Sequence, residues 1–184
     1  ADLAYRLAET LMPMIAEQEL MPLLRDLEIP LVSVLADMEW HGVHIDQDYL
    51  RGVSRELEQE LDGLEKTIHE EAGTEFNLNS PKQLSEVLFE KMELPAPGGK
   101  KRTTGYSTAA GVLEGLAREH GIAEHLLRYR ELSKLKSTYA DALLELVNKH
   151  TGRLHTSFNQ TGTATGRLSS SEPNLQNIPV RTAL

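Results

Sequence analysis

The chain has 184 residues, contains no cysteine and carries a formal net charge of −9 at pH 7. This length suffices for one hydrophobic core and argues against a complete multidomain enzyme, while the lack of cysteine excludes disulfides and thiolate zinc sites. The sequence has no run of about 18 apolar residues that predicts a membrane span and no secretion signal, so we expect a cytoplasmic protein without a membrane partner.

Charge is distributed unevenly along the chain. Residues 1–94 hold 7 Lys/Arg and 21 Asp/Glu, a net charge of −14, whereas residues 95–184 hold 12 and 7, a net charge of +5. The overall acidity taken alone argues against nucleic acid as a partner. The asymmetry indicates an acidic, solvated body with one basic working surface. A chance fluctuation of surface charge is the alternative.

Two helices are predicted before residue 43. Apolar residues recur at helical spacing across residues 3–27, and Pro30 is expected to end or re-aim this first helix. A shorter helix follows, and Gly42 is well placed to end it. Residues 43–45 then predict an extended segment.

A pair of long helices is predicted further along the chain. Asp46 is an expected N-cap, because its carboxylate can accept from the free N–H groups of the first turn. From residue 50 to residue 68, apolar residues recur at spacings of 3, 4, 4, 3 and 4, which forms one seam along a helix. A second seam runs from residue 122 to residue 146. Two seams of similar length predict two helices that pack antiparallel.

Shorter helices are predicted between the two long ones. Ser80 is an expected N-cap, with Pro81 at the first helical position and Gln83 completing a capping box. A further helix is expected to be capped at Ser107 and to stop near Gly121.

A basic loop is predicted between these two short helices. Lys100, Lys101 and Arg102 stand beside glycines. The loop is either a solvated turn or a mobile set of charges that clamps phosphates.

A strand is predicted after the second long helix. Residues 153–160 alternate in the manner of a half-buried strand, and residues 164–171 are a candidate antiparallel partner. The predicted fold class is therefore mainly α, with two long antiparallel helices, a tip of short helices and a small antiparallel β element at the C-terminal end.

Several catalytic and metal-binding patterns do not fit the chain. The run of two glycines and two lysines that begins at Gly98 lacks the earlier glycine and the Ser/Thr of a phosphate-binding P-loop. His41 and His44 straddle a predicted helix end and have no third ligand nearby, which disfavours a metal site. Asp46 and Asp48 fit a cap and a first-turn dipole partner. No catalytic or metal-binding residue is assigned.

Two cations lie one turn apart on the second long helix. Arg130 and Lys134 either pair with acidic neighbours such as Glu131, or form a track for phosphates or the DNA minor groove. The sequence leaves both interpretations open.

The stretch 161–182, TGTATGRLSSSEPNLQNIPVRT, combines neutral hydrogen-bond donors with two guanidinium groups. Amides and Arg suit the DNA minor groove, where every base pair presents the purine N3 and pyrimidine O2 acceptors. A polar surface loop is the alternative, but it would not normally retain spaced apolar residues such as those at 175, 178 and 180. The donors are Thr163, Thr165, Arg167, Ser169, Ser170, Ser171, Asn174, Gln176, Asn177 and Arg181.

This stretch closely resembles the segment that enters the palm of the bacterial family A DNA polymerases, the DNA polymerase I type. The resemblance extends upstream through YRELSKLKSTY at 129–139, FNLNSPKQL at 76–84 and PLVSVLADMEWHGV at 30–43. It therefore covers essentially the whole chain.

The resemblance implies three parts and a set of DNA contacts. Residues 1–28 would end an exonuclease-like domain, residues 29–148 would form the thumb that grips primer–template duplex, and residues 149–184 would be the first strands of the palm. Arg167 would lie in the minor groove beside the primer terminus. The implied DNA-binding residues are Asn79, Ser80, Lys100, Lys101, Ser107, Thr108, Arg130, Lys134, Thr165, Arg167, Asn174, Gln176, Asn177 and Arg181.

The resemblance also implies a role as part of a DNA-directed DNA polymerase, a nucleotidyltransferase of DNA replication and repair in the bacterial cytoplasm, associated with the nucleoid. The family's metal-binding carboxylates are expected beyond Leu184, so Mg²⁺ would be bound outside this chain, which would be inactive without the remaining palm and fingers. Expected partners are primer–template DNA, deoxynucleoside triphosphates, and a C-terminal polypeptide or continuation of the chain. The alternatives are a non-catalytic duplex-DNA-binding module and a helical scaffold without nucleic acid.

Overall fold

The computed structural model describes residues 2–96 and 105–178. The predicted basic loop at Lys100, Lys101 and Arg102 lies outside these residues, as does the predicted contact Arg181. The described part is mainly helical with two small antiparallel sheets, which confirms the predicted fold class. None of the helices in these two ranges is long and apolar enough to cross a lipid bilayer.

The helices and strands of the described residues have the following bounds. Within residues 2–96 and 105–178, three π-helical segments continue or join helices, at Leu24–Glu28, Val87–Lys91 and Lys136–Asp141. The other elements are α1 (Asp2–Glu17), α2 (Met21–Leu23), α3 (Ile29–His41), β1 (Val43–His44), α4 (Gln47–Ala72), α5 (Pro81–Glu86), α6 (Ala110–Leu116), α7 (Gly121–Leu135), α8 (Ala142–Glu145), β2 (Arg153–Leu154), β3 (Ser157–Asn159) and β4 (Ser169–Ser171).

The helix that contains Pro30 runs through this residue without a break, which corrects the prediction that the proline ends or re-aims it. Proline lacks an N–H and its ring crowds the carbonyl four residues earlier. Here the preceding turn, Leu24–Glu28, is π-helical, and this wider turn accommodates the ring. The chain breaks earlier than expected, near Glu19, which has a φ of 57°.

The two predicted long helices form and pack antiparallel. α4 begins at its predicted cap, where the Asp46 carboxylate accepts from the Tyr49 amide at 2.9 Å. Hydrogen bonds between the helices join residue 54 to 141, 60 to 128 and 71 to 125, so the numbers run in opposite directions. Between them Leu57 of α4 and Leu132 of α7 are buried in one apolar cluster with Ala140. The seam predicted from the spacing is therefore the packing surface.

The tip packs around a second apolar cluster that joins the ends of both long helices to the short ones. It draws on the C-terminal half of α4, the N-terminal half of α7, and the segments between them. Such contiguous burial is the main stabilising contribution available to these short helices. The buried members are Ile68, Leu78, Leu84, Leu88, Phe89, Leu113, Leu116, Ile122, Ala123, Leu126 and Tyr129.

The cap of α5 is confirmed in part. The Ser80 hydroxyl accepts from the Gln83 amide at 3.4 Å, as predicted. The reciprocal half of the capping box is wrong, because the Gln83 carboxamide oxygen accepts from the Asn77 amide at 2.7 Å. The Ser80 amide is already engaged, since it donates to the Asn77 carbonyl at 3.0 Å.

The predicted bounds of the next helix are wrong at both ends. The Ser107 hydroxyl accepts from the Ala109 amide at 3.3 Å, only two residues on, so it forms a turn and α6 begins at Ala110. The helix then ends at Leu116, and Gly121 begins α7 instead.

The predicted strand at 153–160 is divided between two sheets, which corrects the prediction of one strand. β2 pairs with β1, placing Val43 opposite Leu154, and β3 pairs with β4, placing Phe158 opposite Ser170. The predicted partner region 164–171 does contain β4. The division falls at His155, whose ring Nδ1 lies 2.8 Å from the Glu39 carbonyl oxygen, and at the buried Thr156.

Gly42 ends α3 as predicted, and its geometry requires glycine. Its φ is +64°, and an added Cβ would lie 2.5 Å from the Leu154 carbonyl oxygen. A side chain there would be strained in conformation and would collide with the backbone of β2.

The chain separates into two compact units. One, here called the helical unit, is Asp46–Glu145, and the other, here called the mixed unit, comprises Ala1–Ile45 and Leu146–Leu184. The predicted parts at 1–28, 29–148 and 149–184 remain a prediction.

Candidate nucleic-acid interface

The helical unit carries several cations along α7 and the π segment after it. Arg128 pairs with Glu60 at 3.0 Å and with Glu131 at 3.2 Å, and Lys136 pairs with Asp141 at 2.8 Å. Burial opposes the charge of Arg128, but its bonds to the two glutamates outweigh that effect and raise its pKa. Arg128 and Lys136 are therefore engaged in ion pairs.

Arg130 and Lys134 differ from these neighbours, since neither makes an ion pair within the described ranges. The Arg130 guanidinium donates to the Thr108 carbonyl oxygen, and also to the Thr108 hydroxyl at 3.2 Å. Burial lowers the pKa of Arg130, yet a guanidinium keeps its charge and has five N–H donors. Thr108 thus holds Arg130 in place and leaves other donors for an acceptor. Lys134 is exposed one turn further along.

The loop before α5 reaches the same part of α7. The exposed Asn79 side chain hydrogen-bonds to Tyr129, whose pKa is raised by burial and by nearby Glu65 and lowered in part by that bond. The Asn79 amide in turn donates to the Asn77 side chain at 2.8 Å. The structure therefore brings Asn79 and Thr108 close to one turn of α7, while Ser80 and Ser107 stand next to them in sequence. We call this group, with Arg130 and Lys134, the helical-unit surface.

The mixed unit presents an exposed guanidinium at Arg167. Its main chain is fixed, because the Thr163 hydroxyl donates to the Arg167 carbonyl oxygen at 2.6 Å. The guanidinium itself has no hydrogen-bond or ion-pair partner in the described part of the chain. Thr165, two residues earlier, is also exposed.

Three exposed amide side chains follow in the turn after β4. The Asn174 side-chain oxygen accepts from the Gln176 amide at 3.0 Å, and the Gln176 side-chain nitrogen donates to the Leu168 carbonyl at 2.8 Å. The Asn174 NH₂ and the second N–H of the Gln176 NH₂ therefore remain as donors for an outside partner, and the Gln176 oxygen remains as an acceptor. Asn177 is exposed beside them. We call these residues, with Thr165 and Arg167, the mixed-unit surface.

α3 and the π segment before it form hydrogen bonds with β2, with β3 and with the residue after β3. These bonds were not predicted from the sequence. The Phe158 amide donates to the Glu39 carboxylate at 2.5 Å, and the Gln160 side chain donates to the Glu28 carboxylate at 2.8 Å. The Arg153 guanidinium donates to the carbonyl of His41 at 2.6 Å, which caps the end of α3. These partners lie more than a hundred residues apart in sequence, so no local pattern could have indicated them.

The chemistry offered by both surfaces is hydrogen-bond donation and positive charge. Among the residues described, no group of three or more His, Cys, Asp or Glu could hold a metal ion. No catalytic step is therefore derived from the described residues.

Comparison with known proteins gives a consistent result. The family profile described as DNA polymerase family A matches residues 47–184. DNA polymerase I of Geobacillus stearothermophilus is 53% identical over 177 residues, and the thermostable DNA polymerase I of Thermus aquaticus is 56% identical over 168 residues. These matches cover 96% and 91% of this chain, and each covers 20% of its relative.

A solved structure is similar over nearly the whole chain. It is described as the POL domain of Pol1 from M. smegmatis in complex with DNA primer-template and dNTP. The TM-score is 0.83 at 42% identity, with 97% of this chain and 31% of that chain covered. The chain thus spans about a fifth of the length of the curated relatives and about a third of this solved chain.

Proposed function

The chain belongs to DNA polymerase family A, and from that premise we propose that it is the part of a DNA polymerase that grips primer–template duplex. The helical-unit surface contacts the phosphate backbone through Arg130 and Lys134. The mixed-unit surface reads the minor groove at the primer end through Arg167 and the neighbouring amides.

The observation that carries this proposal is the exposed guanidinium of Arg167 beside the exposed amide side chains of Asn174 and Gln176. Arg128 in the helical unit, by contrast, is held by two carboxylates. Arg167 has none in the described ranges and stands on a main chain fixed by Thr163. A donor held in this way suits the N3 and O2 acceptors that every correct base pair presents at equivalent positions.

The helical-unit surface supports the same function with a different chemistry. Arg130 is fixed by Thr108, whereas Lys134 is exposed and unpaired within the described residues. Charges of this kind bind phosphates irrespective of base sequence. Contacts of Ser80, Asn79 and Ser107 with the same backbone belong to this proposal.

Nucleotidyl transfer is proposed for the whole polymerase and not for this chain alone. We propose that Mg²⁺ and deoxynucleoside triphosphates are bound by residues outside these 184. Primer extension with Mg²⁺ and all four nucleotides should then give no product with the pure chain, and product once a polypeptide with the remaining palm and fingers is added. Extension by the pure chain would disprove this assignment.

The duplex-binding proposal is tested by the salt dependence of affinity. A fluorescent primer–template of mixed sequence is titrated with the 184-residue chain between 50 and 200 mM salt, roughly the range over which phosphate contacts weaken strongly. Lys134→Ala should lower the slope of log K against log salt by about 0.9, the value for one phosphate contact.

A matched control separates contact from general charge. Lys66→Ala removes an exposed lysine from α4, on the other long helix, and should leave the slope unchanged. The backbone contact of Lys134 is rejected if the wild type and Lys134→Ala give equal slopes. It is also rejected if Lys134→Ala and Lys66→Ala lower the slope by the same amount.

A further inference from the structure

We propose that Thr156 and Ser170 are positioning residues for Asn174. Their two buried hydroxyls form a relay of hydrogen bonds that begins and ends on the backbone on either side of Asn174. This inference rests on the proposed contact between the mixed-unit surface and DNA, and it identifies what holds that surface in shape.

The relay is defined by three short distances. The Leu175 amide lies 3.1 Å from the Ser170 hydroxyl, the Ser170 hydroxyl lies 2.8 Å from the Thr156 hydroxyl, and the Thr156 hydroxyl lies 2.7 Å from the Pro173 carbonyl oxygen. Both hydroxyl residues are buried, with 6% and 3% of their surfaces exposed. Pro173 and Leu175 flank Asn174, so the relay grips the turn from both sides.

Either hydroxyl can donate to the other, and the distances to their remaining acceptors select one direction for the relay. Each hydroxyl has one proton to donate. The Leu175 N–H donates to Ser170, the Ser170 O–H donates to Thr156, and the Thr156 O–H donates to the Pro173 carbonyl. The competing acceptors are further away, at 3.0 Å from Thr156 to the Ser171 carbonyl and at 3.2 Å from Ser170 to the Pro173 carbonyl. In this arrangement both hydroxyl protons are used and no buried donor is left unpaired.

Asn174 needs such a support because its own side chain is exposed. Little apolar packing is available to fix an exposed turn, so its shape depends on directional bonds. A fixed turn presents the Asn174 NH₂ at a defined place, which lowers the cost of ordering it when a ligand binds. Thr156 and Ser170 thus act on DNA through Asn174 and need not touch it.

The test is a double-mutant cycle on the affinity of the 184-residue chain for the fluorescent primer–template. Asn174→Ala should weaken binding about two- to tenfold, the range for one neutral hydrogen bond. Thr156→Val keeps the shape of the side chain and removes the hydroxyl, so it should weaken binding by a similar or smaller factor. In the Asn174→Ala background Thr156→Val should have no further effect, because there is no longer a contact to position.

Three further variants keep the test sharp. Thr156→Ser retains the hydroxyl and should bind like the wild type, and Ser170→Ala should reproduce the effect of Thr156→Val. Ser171→Ala removes the next hydroxyl on the same strand, which is exposed and makes no hydrogen bond through its side chain within the described residues. It should bind like the wild type.

Every outcome decides between the two proposals. If Asn174→Ala weakens binding and Thr156→Val does not, or if their effects multiply, the positioning role is wrong and the DNA contact stands. If Asn174→Ala binds normally, the contact proposed for Asn174 fails, and the positioning role fails with it. If Thr156→Val does not fold, Ser170→Ala carries the same prediction.

Discussion

The interior of the helical unit and the interior of the mixed unit are stabilised by different interactions. Among the described residues, every buried apolar side chain except Leu35, Val147 and Leu154 belongs to the helical unit. Every large exposed apolar side chain except Tyr49 belongs to the mixed unit. Apolar burial is therefore concentrated in the helical unit, whereas the mixed unit has little of it and is joined by hydrogen bonds between residues distant in sequence.

This difference corresponds to the chemistry proposed for each surface. Phosphate binding tolerates small shifts, because charge acts over several ångströms and without a fixed direction. Groove reading requires donors at defined positions, since a hydrogen bond weakens steeply with distance and angle. The cations of Arg130 and Lys134 stand on a helix packed by leucines, whereas Arg167 and Asn174 stand on backbone held by hydroxyls.

The largest effect expected is the loss of a core side chain from the helical unit. Leu126→Ala removes a fully buried side chain of the tip cluster and should lower the free energy of unfolding by about 2–5 kcal/mol. Leu7→Ala in α1, a side chain 57% exposed, should change it by less than about 0.5 kcal/mol. Urea unfolding followed by circular dichroism measures both. If both substitutions lowered the free energy of unfolding equally, the two units would not differ in their dependence on apolar burial.

A glycine at the end of α3 tests the mixed unit in the same way. Gly42→Ala should cost about 1–3 kcal/mol, because the residue has a φ of +64° and its Cβ would meet the Leu154 carbonyl. The loss should appear as faster hydrogen exchange at β1 and β2, with the helical unit unchanged.

The control for that substitution lies in α4. Gly63→Ala places a Cβ where nothing lies within 4 Å and should stabilise the helix by about 0.5–1 kcal/mol. Faster exchange throughout α4 and α7 in Gly42→Ala would show that the two units do not respond separately.

The smallest effect expected concerns Asp141, which forms an ion pair within the π segment and a hydrogen bond to Ser54 of α4. The Asp141 carboxylate accepts from Lys136 at 2.8 Å and from the Ser54 hydroxyl at 2.6 Å, and these two bonds lower its pKa. A carboxyl group with a lowered pKa in the folded state stabilises the fold above its ordinary value of 3.8. That stabilisation is lost as the pH falls through the lowered pKa.

The free energy of unfolding of Asp141→Asn should therefore differ from that of the wild type by an amount that depends on pH. Asp141→Asn should lower the free energy of unfolding by about 0.5–1 kcal/mol at pH 7, a modest value because the pair is partly exposed to solvent. The difference from the wild type should narrow once the pH drops below the ordinary carboxyl value. Urea unfolding at pH 7 and at successively lower pH measures it, and a constant difference would contradict the role of the charge.

Local patterns predicted the helical unit well. The leucine seam of α4 and the cap at Asp46 depend on residues within one or two turns, and both are confirmed. In the mixed unit, Pro30 was misjudged because proline usually disrupts a helix, whereas here a wider π turn precedes it. Ser107 was misjudged because a serine that forms a local turn and a serine that caps a helix look alike in sequence.

The mixed unit was harder to predict, because its structure depends on pairings distant in sequence. Alternation at 153–160 indicates a strand but does not say that its two ends join different sheets. No local sequence pattern indicates the hydrogen-bond partners of Thr156 and Glu39. Arg167 and the amides were singled out by residue type and by resemblance, and the structure shows them exposed; their contact with DNA remains a prediction.

The most direct test of DNA recognition removes the acceptor instead of the protein group. A duplex whose primer ends in 3-deazaguanine keeps its phosphates and loses the single N3 acceptor proposed for Arg167, while the other acceptors of the minor groove remain. The wild-type chain should bind it about tenfold more weakly than the ordinary duplex, on the scale of a charge-assisted hydrogen bond. Arg25→Ala, which removes an exposed arginine of the mixed unit outside the proposed surface, should behave like the wild type. Arg167→Ala should bind the ordinary duplex weakly and lose little more on the modified one. If instead the modified duplex weakens Arg167→Ala as much as it weakens the wild type, Arg167 does not read the minor groove.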